Sequence, residues 1–258
     1  MVGAIVGVLV GMVGVGGGAI MTPVLIFIFK VPTTTAVATD LVYSASTKVF
    51  AVSLHRKRNG LERCVVKFVS IGGVIGAIIG VLVFTHSESA LNDQFDKIIQ
   101  LSIGFLLFLS SIFSLYLNKN HILERQLKLK EKKFVISKNS QRIMMVLVGL
   151  VVGIIVSMTS VGGGTIIALF LLYVWKIPVK RVVGTDLAIS LIITLISSVT
   201  HLFVGNVDIF IMIFLTIGGI IGVYVGEIIH HRMSGRLLKM ILTIILLILG
   251  LFMIYESI

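Results

Sequence analysis

The sequence predicts an all-α polytopic membrane protein made of two inverted-topology repeats, each a broken-helix hairpin followed by three transmembrane helices. Hydrophobic residues occupy 57% of the 258 positions and charged residues only 13%, which is too little charge to cover the surface of a soluble globular domain. Uncharged runs such as residues 68–84 and 98–117 are long enough to cross most or all of a hydrocarbon layer about 30 Å thick.

A further observation is an internal repeat with a constant shift of 146 residues and no gap. Under this shift the segment Val13–Ala19 falls on Thr159–Thr165, and a proline and then Thr-Asp-Leu follow each copy. Matching at one fixed spacing over this length indicates two copies of one structural unit. The predicted divisions are a first repeat at residues 1–117, a linker at 118–142 and a second repeat at 143–258.

Each repeat is predicted to begin with a hairpin. Helical residues 2–14 and 143–158 run into the glycines, and shorter apolar pieces at 19–29 and 165–175 leave them. Lys-Val-Pro or Lys-Ile-Pro then predicts a turn, because proline disfavours helix in the residue before it. The longer helices that follow are predicted at residues 34–54, 65–84 and 95–117, with counterparts at 179–201, 209–229 and 237–255.

The charges of the connecting loops predict that the two repeats face opposite ways. The connector at residues 55–63 is strongly basic, whereas its counterpart at 201–208 has no Lys or Arg. The next connector shows the reverse, since residues 86–96 carry acids and the matching stretch of the second repeat carries Arg and Lys. Basic loops stay in the cytoplasm, so equivalent loops lie on opposite sides, as in many secondary transporters.

The linker completes the predicted topology. Residues 118–142 contain eight Lys or Arg against two Glu and are therefore predicted to be cytoplasmic; an amphipathic helix lying on lipid headgroups is compatible with this. The connector at 176–181 is predicted on the same side, so residues 143–175 form a hairpin, either re-entrant or fully crossing. The first repeat makes the same hairpin from the outside.

The glycine triplets at the hairpin tips are candidate anion-binding sites. Each glycine costs an apolar helix roughly 1 kcal/mol relative to alanine, so triplets at two matching places indicate that the break itself is used. The short helices that follow would present free N–H groups and the positive end of the helix dipole to an anion. The predicted substrate-binding glycines are Gly16, Gly17, Gly18, Gly162, Gly163 and Gly164. The alternative is close helix packing, which is the interpretation we favour for Gly72, Gly73, Gly76 and Gly80.

Two carboxylates, Asp40 and Asp186, lie inside apolar helices. Intramembrane acids are costly and usually functional, so both are candidate proton-coupling residues; the alternative is an acid exposed at the interface near a helix start. Thr39 and Thr185 beside them are predicted to give hydrogen bonds to the substrate. Lys48, two turns beyond Asp40, fits three roles equally: partner of the substrate's charge, counter-ion of Asp40, or a lysine that reaches the cytoplasmic interface.

The sequence gives little indication of disulfide, nucleotide-binding, metal or catalytic chemistry. The single cysteine, Cys64, excludes an intramolecular disulfide, and His55 and His201 at predicted helix ends are interpreted as interfacial. Residues 14–19 match a dinucleotide fingerprint, but no βαβ unit surrounds them. Without a His/Cys cluster or a nucleophile–base pair, we expect no metal, no other cofactor and no enzymatic activity. The net charge of +11 lies in the connectors and indicates membrane orientation rather than nucleic-acid binding.

These motifs resemble the TauE/SafE family of membrane permeases, also called sulfite exporters. The resemblance rests on Gly-x-Gly-Gly-Gly-x-x-x-x-Pro at residues 14–23, Pro-x-x-x-Ala-x-x-Thr-Asp at 32–40, and the repeat copies at 161–164 and 178–186. It implies export of small sulfur-containing anions such as sulfite, sulfoacetate or related organosulfonates. The second copy has Leu169 where the first has Pro23, so the two half-sites need not be equivalent.

Taken together, the residues and the resemblance predict a secondary transporter in the inner (plasma) membrane, driven by the proton motive force and working by alternating access. Its expected partners are the small anionic substrate, protons and membrane lipids. A passive anion channel is the alternative.

Overall fold

The computed structural model describes residues 2–13, 18–59, 61–91, 93–119, 138–161, 163–175, 177, 179–205, 207–230 and 235–257, and every regular element in these ranges is helical. The first repeat contains α1 (Val2–Val13), α2 (Gly18–Phe27), α3 (Thr33–Asn59), α4 (Arg63–Leu91) and α5 (Asp93–Lys119). The second contains α6 (Lys138–Thr159), α7 (Gly163–Leu169) with a π-helical turn (Phe170–Val174), α8 (Val179–Val204), α9 (Ile209–His230) and α10 (Gly235–Ser257). The predicted all-α fold class is confirmed. Most of the predicted linker, residues 120–137, lies outside the described residues.

Within the described ranges, six helices are long and apolar enough to cross a membrane: α4, α5, α6, α8, α9 and α10. Large apolar side chains point outward from them; on α9, for example, Phe210, Phe214 and Tyr224 are all highly exposed. So much exposed apolar surface is typical of helices that face lipid. Helix α3 is not among the six, yet its residues 36–41 are all buried, so the surrounding helices shield its polar side chains from lipid.

Each repeat packs its first helix against the other repeat. Helix α1 lies along α9, and α6 lies along α4. A Cβ atom added at Gly7 would collide with the backbone of Gly219, and one added at Gly153 would collide with the backbone of Gly73. These two contacts are related by the repeat shift, so the same close approach is made twice. Packing by glycine is confirmed where the sequence predicts it, at Gly72, Gly73, Gly76 and Gly80.

Helix α3 of the first repeat packs against α8, its equivalent in the second repeat, and the two helices run antiparallel. The backbone N–H of Asp208, just before α9, donates to Thr39 Oγ1 near the start of α3 at 3.2 Å. The equivalent bond joins the N–H of Glu62, just before α4, to Thr185 Oγ1 near the start of α8, also at 3.2 Å. The start of α3 therefore lies beside the end of α8, and the start of α8 beside the end of α3. The inverted orientation of the repeats in a bilayer stays a prediction, which these contacts support.

The turn after each hairpin is built in the same way twice. The N–H of Val31 donates to Leu25 O at 3.2 Å, and that of Ile177 donates to Leu171 O at 2.8 Å. Each bond satisfies a carbonyl that the end of the short helix would otherwise leave unpaired. Lys30 takes the left-handed conformation, with φ of 54°, and Pro32 then precedes α3, as the Lys-Val-Pro motif predicts.

The described ends of three basic segments lie at one end of the helix bundle. Arg181 Nη1, at the start of α8, is 2.6 Å from Glu62 Oε1 in the connector before α4. The guanidinium of Arg142, near the start of α6, stands 5.3 Å above the centre of the Phe68 ring in α4. The described ends of the segments that the sequence predicts to be cytoplasmic are thus brought together, and the cytoplasmic side itself stays a prediction.

Candidate functional site

The candidate site lies in the interior, where α3 packs against α8. Asp40 is fully buried, and only 7% of Asp186 and 4% of Lys48 are exposed. Lys48 is near enough for its charge to act on both carboxylates, although its ammonium forms no ion pair within 4.0 Å with either of them. The interpretation of the two acids as exposed interfacial residues is therefore wrong, and Lys48 is enclosed by protein rather than extended to the basic end of the bundle.

Asp40 is held by hydroxyl groups. Thr22 in α2 donates to its Oδ2, and Ser44, one turn further along α3, donates to its Oδ1 at 3.3 Å. Ser160, at the break of the second hairpin, also lies beside this carboxylate, although its hydroxyl does not reach hydrogen-bonding geometry. Asp40 is thus a point at which α2, α3 and the break between α6 and α7 meet.

Asp186 has a different environment. Its Oδ1 atom is buried and has no hydrogen-bond partner among the described residues. Ser190, which occupies the place of Ser44, donates to Leu187 O at 3.3 Å instead. The charge that interacts with Asp186 is that of Lys48. One buried acid is therefore hydrogen-bonded by hydroxyls, whereas the other is near the opposite charge of Lys48 without an ion pair to it.

Only three of the six predicted anion-binding glycines lie within the described residues. Gly16, Gly17 and Gly162 lie outside the described residues, and Gly18 is the first residue of α2. Gly163 is buried at the start of α7, where an added Cβ would be 3.2 Å from Val156 Cγ2 and 3.7 Å from Ser190 Cβ. This places the start of α7 against α6 and α8, with Gly164 next to it. The role of these glycines in binding an anion stays a prediction.

The break before α7 is shaped by a residue with an unusual backbone. Ser160 adopts a left-handed conformation with φ of 57°, which is uncommon for a residue other than glycine. The hydroxyl of Thr159 supports it by donating to Ile155 O at 2.7 Å and accepting from the N–H of Val161 at 3.3 Å. Side chains thus satisfy part of the backbone that the break would otherwise leave unpaired.

Thr39 and Thr185 are fully buried, and each accepts the backbone hydrogen bond from the opposite repeat described above. These bonds use the hydroxyl oxygens and so connect the repeats. Each hydroxyl retains a proton to donate, and the predicted contact of both threonines with the substrate stays a prediction.

Sequence reasoning missed three residues of this region. Thr22 and Ser160 were not singled out, although each is a polar residue in an apolar hairpin. His201 lies in the last turn of α8, as predicted for a residue at a helix end, but it is not exposed there. His201 is fully buried, with its Nε2 atom 3.0 Å from Ser157 O and its ring 5.2 Å from that of Phe84. The apolar residues that follow His201 were the available signal.

Comparison with known proteins agrees with this architecture. The family model described as "Sulfite exporter TauE/SafE" matches residues 1–253. The chain belongs to the TauE/SafE family. It is 32% identical to "Probable membrane transporter protein YjnA" of Bacillus subtilis, over 97% of this chain and 96% of the relative. It is 25% identical to "Probable membrane transporter protein MJ0441" of Methanocaldococcus jannaschii, over 98% of this chain and 93% of the relative. No solved structure matches the chain significantly.

Membership of the TauE/SafE family, together with the six apolar helices, indicates a multi-pass membrane protein that functions in transport. The names of the relatives point the same way, to a transporter rather than an enzyme. In the part of the chain that the structure describes, no group of three or more His, Cys, Asp or Glu residues could hold a metal ion.

Proposed function

We propose that this TauE/SafE protein is a secondary transporter that moves a small anion together with protons across the plasma membrane by alternating access. The anion is sulfite, sulfoacetate or another organosulfonate. The observation that carries the proposal is the trio of Asp40, Lys48 and Asp186, enclosed where α3 meets α8. Charged side chains are expensive inside a membrane protein and are retained where ions or protons move.

The charges of this trio explain why protons would accompany the anion. With all three groups ionised, two carboxylates and one ammonium leave a net negative charge, which repels an incoming anion. Protonation of one carboxylate removes that repulsion and leaves the ammonium of Lys48 to attract the anion. In surroundings that screen charge poorly, this difference is worth several kcal/mol, enough to make anion binding depend on a proton.

The relation between the repeats supports alternating access. The close glycine contacts between α1 and α9, such as Gly7 with Gly219, have equivalents between α6 and α4, and α3 and α8 run antiparallel across the centre. Two halves with equivalent interfaces can exchange conformations, so that the site opens first to one side and then to the other.

Uptake of radiolabelled sulfoacetate into proteoliposomes tests the proposal. We expect an imposed gradient with the acidic side outside to drive accumulation, and a protonophore to abolish it. The Lys48→Thr variant, which carries the residue found at the equivalent position 194, is expected to lose uptake while remaining folded. Flux that ignores the pH gradient and follows only the electrical potential would favour the passive anion channel.

A further inference from the structure

The two buried acids sit in different environments, and we propose that they have different roles. Asp186 exchanges a proton and competes with the substrate anion for Lys48, whereas Asp40 is a positioning residue that holds the hairpins. This assignment rests on the proposed function and adds to it one anion site and a ratio of one proton per anion.

The case for Asp40 as a positioning residue comes from its partners. Its two carboxylate oxygens accept hydrogen bonds from Thr22 and Ser44, and Ser160 lies beside it. Hydrogen bonds to the ionised form of a carboxylate stabilise that form. A carboxylate that is bonded from both sides connects α2 to α3 and is poorly suited to lose its charge in every transport cycle.

The case for Asp186 comes from its Oδ1 atom. Its Oδ1 atom is buried without a hydrogen-bond partner in the described part of the chain. The hydroxyl of Ser190 is directed to a backbone carbonyl, and that of Thr194, one turn further along α8, donates to Ser190 O at 2.8 Å. The opposite charge that acts on Asp186 is that of Lys48, which lies nearby without forming an ion pair within 4.0 Å. If an anion takes Lys48, Asp186 must be protonated or remain a buried, uncompensated charge.

The repeat shift explains why the two sites differ. The position equivalent to Thr22 is Ala168, and the position equivalent to Ser160 is Gly14, so neither can offer a hydroxyl to Asp186. Position 194, equivalent to Lys48, is a threonine. The amino-acid sequence itself therefore gives the Asp40 site two hydroxyls at positions where the Asp186 site has none, and it places the lysine in the first repeat only.

These observations imply an exchange with a defined charge balance. When Asp186 is ionised, its negative charge balances the positive charge of Lys48. When Asp186 takes up one proton, the charge of Lys48 is no longer balanced by Asp186 and attracts one anionic group of the substrate. Loss of that proton on the other side of the membrane restores the attraction between Asp186 and Lys48 and expels the anion. In the described part of the chain, the charged groups that act on Lys48 are Asp40 on α3 and Asp186 on α8.

Binding of sulfoacetate to purified protein tests the assignment directly. Its sulfonate and carboxylate both stay ionised above about pH 6, since carboxylic acids titrate near pH 4, so any pH dependence belongs to the protein. We measure the rise in melting temperature as sulfoacetate is added at a series of pH values. For the wild-type protein, the apparent affinity should fall about tenfold per pH unit at alkaline pH, the slope expected for one linked proton.

The two asparagine variants should separate the roles. Asp186→Asn resembles the protonated acid permanently, so its affinity for sulfoacetate should become independent of pH, and its uptake should no longer respond to a pH gradient. Asp40→Asn should keep the slope of one proton while its melting temperature without ligand falls. Lys48→Thr should abolish the sulfoacetate effect at every pH.

A matched pair of variants keeps the test informative if an asparagine variant does not fold. Ala168→Thr gives Asp186 the hydroxyl that Asp40 has, which stabilises the ionised acid, so the pH dependence of binding should move to lower pH. Thr22→Val removes the equivalent hydroxyl from Asp40 and should lower the melting temperature without moving the pH dependence.

Two kinds of failure are distinguishable. If the slope is lost in Asp40→Asn and kept in Asp186→Asn, or if Thr22→Val moves the pH dependence and Ala168→Thr does not, the assignment is overturned while proton-coupled transport stands. If the wild-type protein neither binds sulfoacetate in a pH-dependent way nor responds to a pH gradient, the proposed function itself is refuted.

Discussion

The contact between α4 and α6 allows a quantitative prediction, because the chain contains its own control. At Gly72 an added Cβ would lie 2.8 Å from Val146 C and 2.9 Å from Leu150 N, with Val146 O closer still. At the equivalent Gly218 the nearest atom, Ala4 N, would be 3.1 Å away. Ordinary contacts of a Cβ begin at 3.4 Å. Alanine at position 72 therefore forces two backbones apart, whereas alanine at position 218 needs a shift of only a few tenths of an ångström.

The expected energies follow from this difference. Overpacking against backbone atoms, which cannot move aside, costs roughly 2–3 kcal/mol of stability. The better helix propensity of alanine offsets about 1 kcal/mol of this cost. We therefore expect Gly72→Ala to lower the free energy of unfolding by about 1–2 kcal/mol. For Gly218→Ala the two terms nearly cancel, and the change should stay within about 0.5 kcal/mol.

Unfolding of the purified protein by titration from mild detergent into sodium dodecyl sulfate, followed by circular dichroism, measures both values. The two variants add the same methyl group to the same helix type, so their difference isolates the helix contact. Equal stability of Gly72→Ala and Gly218→Ala, or a more stable Gly72→Ala, would refute the reasoning that α4 and α6 touch through their backbones.

Three further predictions concern orientation and polar contacts. A membrane-impermeant maleimide should label the exposed Cys64 only from the cytoplasmic side. In a Cys64→Ser background, the same reagent should label Phe210→Cys, at the equivalent position of the second repeat, only from the outside. Labelling of both cysteines from one side would show that the repeats are parallel. Thr185→Val leaves the N–H of Glu62 without its partner and should cost about 1 kcal/mol in the same titration, whereas Thr185→Ser should match the wild type. Glu62→Gln removes an ion pair to the largely exposed Arg181 and should cost less than about 1 kcal/mol, a loss that disappears in high salt; a larger, salt-independent loss would contradict this.

Much of the architecture could be predicted because apolar length and repetition are local properties of the sequence. The predicted helix at residues 209–229 compares with Ile209–His230 in the structure, whereas that at 65–84 continues to Leu91. The difference in α4 arises because hydropathy detects the part of a helix in hydrocarbon and misses a polar extension such as residues 85–91. Glycine packing was predictable for a similar reason, since the spacing of Gly72, Gly76 and Gly80 places them on one face.

The site was harder to predict because its members come from segments that are distant in sequence. The charged residues Asp40, Asp186 and Lys48 were recognisable, as each is costly in an apolar helix. The contacts of Thr22 and Ser160 with Asp40 depend on how both hairpins cross α3, which no local pattern reports. The different surroundings of the two acids could have been read from the repeat shift, by asking which residue replaces Thr22 in the second copy.

The exchange of first helices between the repeats also bears on how the protein is made. Helix α1 emerges from the ribosome long before α9, the surface that receives its glycine face, has been synthesised. Its Gly3, Gly7 and Gly11 are therefore exposed to lipid until the last third of the chain has been inserted. A gene divided in the linker should therefore yield stable protein only when both fragments are produced in the same cell, and either fragment alone should be removed by membrane proteases.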